Sequence, residues 1–145
     1  MRLRFTPLIL LTACALGGRG SVAPGSFVHS TSDVQMSRTI DVRDGFTHAQ
    51  AMRALTDALG AHFTIDVSDQ RAGFVMTGWQ APTRDGVPDL GYRTRIIARF
   101  VGDDWRKLTV RSEANVAQGI EWDVGYDVAE LESVTNDLRA KFSRR

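Results

Sequence analysis

The chain has 145 residues, 43% of them apolar and 24% charged, with 18 Lys and Arg against 17 Asp and Glu. That balance excludes a nucleic-acid binder driven by bulk positive charge and describes an ordinary soluble domain. A single cysteine excludes a disulfide within the chain, and the length leaves room for one domain.

Met1 to Arg4 carry two arginines, and Phe5 to Ala13 are mostly apolar, interrupted by Thr6, Pro7 and Thr12. A basic start, a short apolar run and small residues at its end are the grammar of an export signal over residues 1–13. The run falls well short of the ~20 residues that span a bilayer as a helix. Its removal takes two of the 18 basic residues and none of the 17 acidic ones, so the mature balance is −1. A polybasic membrane tether is therefore not expected.

The lone cysteine follows the run directly. Leu11-Thr12-Ala13-Cys14 resembles the lipobox of bacterial lipoproteins. The resemblance implies a diacylglycerol on the Cys14 sulfur, cleavage before Cys14 and a further acyl chain, such as palmitate, on its freed amine. Two or more chains hold a protein stably where one does so marginally. Ala15 stands where, by the same resemblance, an aspartate would retain the chain at the inner membrane. The expected location is the outer membrane, facing the periplasm.

Residues 14–37, rich in Gly, Ser and Pro, read as a flexible lipidated tether, and residues 38–145 as the folded domain. Ser37 to Arg43 alternates briefly as a first strand. Thr47 and Gln50 form a capping box, with Phe46 and Ala51 as its staple, opening a helix whose apolar face holds Ala51, Met52, Leu55, Ala58 and Leu59. Gly60 suits the position just past its end. His62 to Val67 and Phe74 to Gln80 read as strands around an Asp69–Gly73 turn. Ala81 to Gly91, with two prolines and two glycines, reads as a loop. Tyr92 to Val101 and Trp105 to Val116 then complete an antiparallel meander. Asp127 and Glu130 cap a last helix with Val128, Leu131, Val134, Leu138 and Phe142 on one stripe. The economical solution is an α+β domain, with both helices on one face of an antiparallel sheet.

The order strand, helix, three or four strands, long C-terminal helix is similar to helix-grip domains. Ala72 to Trp79 with its Thr-x-Trp, the Tyr92-Arg-Thr-Arg95 strand and the capped last helix resemble the domains of the C-type lipoprotein of the outer-membrane β-barrel assembly machinery. The likeness spans residues 38–142. It implies a non-catalytic accessory protein that binds other envelope proteins.

Alternation on Tyr92–Val101 sets Tyr92, Thr94, Ile96, Ala98 and Phe100 against the helices and Arg93, Arg95 and Arg99 on the open face. Phe74, Met76 and Gly78 are expected inward on the preceding strand, with Gly78 admitting a helix closely, and Trp79 outward beside the arginines. Trp79, Arg93, Arg95 and Arg99 are the candidate interaction face, since arginine beside tryptophan favours binding. The plainer reading is that these arginines pair with surface acids and stack on Trp79.

His29, His48 and His62 are scattered without metal-ligand spacing, so no metal is expected. Asp66, Asp69, Asp103, Asp104, Glu121 and Asp123 offer carboxylates without a sign of shared geometry, and no nucleophile elbow occurs. No catalytic residue, enzyme activity or cofactor is expected. The expected partners are the membrane, through Cys14, and an envelope protein; no nucleic acid is expected. The alternative function is a carrier of an apolar ligand between sheet and long helix.

Overall fold

In the computed structural model, residues 23–30 and 36–143 can be described. The expected export signal and Cys14 lie outside the described residues. In chain order the elements are β1 (Phe27–His29), β2 (Ser37–Asp41), α1 (His48–Gly60), β3 (Ile65–Asp69), β4 (Phe74–Thr77), β5 (Thr83–Arg84), β6 (Val87–Pro88), β7 (Tyr92–Val101), β8 (Lys107–Gln118), β9 (Glu121–Asp127) and α2 (Val128–Phe142). The α+β class and the antiparallel sheet under two helices are as expected.

The sheet runs β1-β9-β8-β7-β4-β3, with β2 also paired to β8. The long β8 organises it. One of its edges pairs with β7 from end to end. Its other edge takes β2 beside Lys107–Arg111 and β9 beside Ala114–Gln118. At the junction the Ser112 hydroxyl donates to the Asp127 carbonyl at 2.8 Å and accepts from the Asp127 N–H at 3.1 Å. A side chain thus closes the gap where one neighbouring strand gives way to another.

Three expectations are corrected, and one strand was not anticipated. Phe27–His29 falls within the expected tether yet pairs with β9 as an edge strand, and Phe27 is buried against Tyr92, Ala114 and Val116. Glu121–Asp127 is a strand, its Trp122, Val124 and Tyr126 alternating with Asp123, Gly125 and Asp127. Within the expected Ala81–Gly91 loop lies the β5–β6 hairpin, turned at Asp85 (φ 51) and Gly86 (φ 79). Those angles are what a two-residue Asp-Gly turn requires. Trp105 stands outside β8 altogether, at φ 52. A bulky side chain is costly there, but its ring is stacked between Phe100 at 4.7 Å and His48 at 4.2 Å. Gly73 makes room beneath it: a Cβ there would meet the indole at 2.8 Å.

Both helices cover one face. α1 carries the expected capping box, with Gln50 N–H donating to Thr47 Oγ1 and Thr47 N–H donating to Gln50 Oε1. Its end differs from expectation: Gly60 is the last helical residue, and Ala61, right-handed, caps it. Ala51, Met52, Leu55 and Leu59 join Leu131, Val134, Leu138 and Phe142 of α2 in one core over Val75, Ile96, Ala98, Phe100, Leu108 and Val110. Leu55, Leu108, Leu131 and Phe142 have no exposed surface. Side chains fill the space between the sheet and the later turns of α2, while its first turns border a groove of about 320 Å3 with Phe63 and Thr94.

Candidate functional site

The opposite face of the sheet is open. Register sets it: Arg93 pairs with Asn115, Arg95 with Glu113, Ile97 with Arg111, Arg99 with Thr109 and Val101 with Lys107. Residues directly opposite share a face. β7 and β8 therefore present Arg93, Arg95, Arg99, Lys107 and Arg111 there against one carboxylate, Glu113. Asp41 of β2, opposite Lys107, and Asp69 of β3, opposite Phe74, share the face, so five cations stand against three carboxylates, a local excess of positive charge in a chain of formal net charge +1.

Trp79 reaches this face by a route that alternation did not predict. Val75 pairs with Ala98 and is buried, as is Thr77; Phe74 and Met76 lie on the open face opposite Arg99 and Ile97. The expected orientation of β4 is thus reversed. Between the Met76–Ile97 pair and the Gln80–Thr94 bridge, β4 carries one residue more than β7, which is a bulge. The Thr77 hydroxyl accepts the Ile96 N–H at 2.9 Å inside that bulge. The extra residue flips the parity and turns Trp79 outward. Gly78 contacts no helix; its N–H donates to the Thr64 carbonyl at 2.8 Å.

The arginines and indoles interleave. Arg93 lies between two rings, 4.7 Å from the Trp79 centroid and 4.1 Å from Trp122. Arg95 stacks on Trp79 at 4.5 Å and donates from Nε to Glu113 at 2.7 Å. Glu113 also meets Arg111 at 3.3 Å. Stacking of this kind contributes ~0.5–2 kcal/mol per pair and fixes long side chains that would otherwise cost entropy to order. The plainer reading therefore describes Arg95 well. Arg99 is different: it is exposed and has no carboxylate partner among the described residues. It borders a shallow groove of about 350 Å3 with Phe74, Ile97, Val101, Thr109 and Arg111. Trp122, Arg111 and Phe74 were not anticipated on this face. The alternation of Trp122, Val124 and Tyr126 just after Gly119 was the available signal for Trp122.

A second polar cluster lies on the helix side. Asp127 is buried and opens α2: its Oδ1 accepts from the Glu130 N–H at 2.9 Å, and its Oδ2 accepts from Ser26 Oγ at 2.9 Å and Tyr92 OH at 2.5 Å. Burial, then the hydrogen bond to Asp127, push the Tyr92 phenol far above its usual range. Glu130 borders a groove with His62, Gln80, Thr94 and Asp137. Burial, then the nearby Asp127 carboxylate, raise its pKa, while His62 opposes them. A carboxyl raised on folding holds its proton better in the native state, so its ionisation costs stability as pH climbs from the ordinary Glu range through the raised value. Glu130→Gln should therefore gain more stability, relative to the parent, at pH 7 than at pH 4. Urea midpoints at the two pH values check this.

The histidines are engaged singly. His29 Nδ1 meets Asp123 at 2.7 Å, His48 stacks on Trp105, and His62 stands 3.9 Å from Asp137. Among the described residues no three His, Cys, Asp or Glu side chains converge as metal ligands. No helix among them is long and apolar enough to cross a membrane. No protein-family model matches the chain, and no curated protein matches it significantly.

Proposed function

We propose that this chain is an outer-membrane-anchored lipoprotein whose domain binds another envelope protein through the open sheet face, as an accessory to outer-membrane protein assembly. The observation that carries the reading is the composition of that face. Five cations of β7 and β8 stand with Glu113, Asp41 and Asp69 around an apolar floor of Phe74, Ile97 and Val101, with two indoles alongside. Such a surface suits a segment bearing both carboxylates and apolar side chains: charge complementarity steers and orients it, while the aromatic and apolar centre supplies affinity. The groove between the first turns of α2 and the sheet is bordered by Gln80, Thr94, Glu130 and Asp137, a polar lining that favours a carrier of an apolar ligand less than the open face favours a protein partner. The anchor rests on the Leu11–Cys14 lipobox.

Arg99 and Val101 are the residues to alter, because both are exposed and neither supports the core. With tagged protein recovered from detergent-solubilised envelopes, components of the barrel-assembly machinery should accompany the parent chain. Arg99→Glu with Val101→Asp should lower their recovery at least several-fold while the thermal midpoint stays unchanged. Equal recovery by parent and variant would reduce the arginines to a solvated sheet surface.

A further inference from the structure

We infer that one end of the sheet, where β7 begins and β8 turns into β9, rests in the headgroup layer of the membrane; this builds on the lipid-anchor reading. Ile120 is 101% exposed, Leu90 81% and Val87 66%. All three lie at that end. Ile120 sits in the two-residue turn between Gln118 and Glu121. Leu90 precedes Gly91, whose carbonyl accepts from the Ala117 N–H at 2.8 Å, one rung beyond the Tyr92–Val116 pair. Val87 belongs to the hairpin that leaves the sheet after Gln80, opposite Thr94, and returns at Gly91.

Turn tips ordinarily carry glycine, asparagine or aspartate, and nothing in the packing of this fold asks for a bare isoleucine or leucine there. The opposite end of the sheet makes the contrast. Its turns hold Asp103 and Asp104 on one side and Gln70 and Arg71 on another, all exposed. Trp122 stands two residues behind Ile120, partly exposed, an amphipathic ring of the type that settles at a membrane interface.

The position of Ala23 places this end within reach of a lipid on Cys14. Ala23 packs against the cluster of Phe27, Tyr92, Ala114 and Val116, close to the same rung. Cys14 lies nine residues earlier. Fully extended, nine residues reach no more than ~30 Å. A lipid on Cys14 therefore leaves the Leu90 and Ile120 end within reach of the surface. Asp89 and Glu121 adjoin Leu90 and Ile120 in the chain and offer no attraction to anionic lipid, so the contact proposed is through the apolar side chains, on zwitterionic lipid, and insensitive to salt.

The test uses the full chain, purified with its own lipid and reconstituted into phosphatidylcholine vesicles. With Cys14 acylated, an introduced cysteine is the one free thiol and takes an environment-sensitive fluorophore. The dye at Ile120→Cys should shift to the blue and be quenched by brominated lipid several-fold more strongly than at Asp103→Cys, in low and high salt alike. Equal spectra at the two positions would overturn the proposal. A second arm separates it from the anchor itself. A Cys14→Ser chain, with hexahistidine in place of residues 1–13, is held on vesicles containing a nickel-chelating lipid. A blue shift at position 120 there supports the membrane-seeking end even if the parent chain fails to take up an acyl probe. No shift in that arm overturns it even if acylation is observed.

Discussion

Leu138→Asp should leave the domain largely unfolded in water. Leu138 is 1% exposed and lies on the α2 stripe with Leu131, Val134 and Phe142, in the same core as Ile40, Leu108 and Val110. Loss of the leucine alone costs about 2–5 kcal/mol. A carboxylate in its place adds several kcal/mol more, because it has to be desolvated, take up a proton or expel the helix. Against a total stability of roughly 5–15 kcal/mol, that removes most of the native state. Ala140→Asp, on the exposed side of the same helix, should cost less than ~1 kcal/mol. Circular dichroism with urea titration distinguishes the two. A parental midpoint for Leu138→Asp would mean that the stripe does not face the sheet.

Asp127→Ala should also be costly, for a different reason. This one carboxylate caps α2, accepts the Tyr92 phenol and holds Ser26, which leads into β1. Losing the cap costs about 1 kcal/mol, and leaving the buried phenol without an acceptor adds roughly 1–3 kcal/mol. An overall loss of about 2–4 kcal/mol is expected, with β1 the first segment to become open to proteases. Tyr92→Phe alone should cost about 1 kcal/mol, and much less in the Asp127→Ala background, where the phenol has already lost its acceptor. Equilibrium unfolding of the two single variants and the double variant measures this. Strict additivity would contradict a shared hydrogen bond.

The long periodic elements were legible from residues alone. Tyr92–Val101 emerges with its predicted bounds and faces, and α1 opens on its predicted capping box. What escaped was non-local or irregular. Phe27–His29 has too little pattern to be read as a strand; it exists because β9 offers an unpaired edge. The β5–β6 turn carried its own signal, Asp85-Gly86, obscured by the prolines around it. β4 shows how a correct placement can rest on an incorrect path. Trp79 was expected outward by simple alternation. It is outward because a bulge after Thr77 reverses a strand whose buried residues are Val75 and Thr77. No period in the sequence announces a bulge, whereas a threonine hydroxyl accepting a backbone N–H accommodates one once the neighbouring strand is in place. Of the candidate face, the arginines followed from alternation; Trp122 and Arg111 required the pairing of β8 with β9 and β7.

The open face itself is tested most directly by cross-linking from defined positions in intact cells. A photo-reactive residue at Val101 on the sheet face should yield an adduct with a component of the barrel-assembly machinery, and Arg99→Glu in the same chain should reduce it several-fold. The same residue at Ala140 on the helix side should yield none. Adducts from Ala140 with none from Val101 would contradict the account and place the binding surface on the helices.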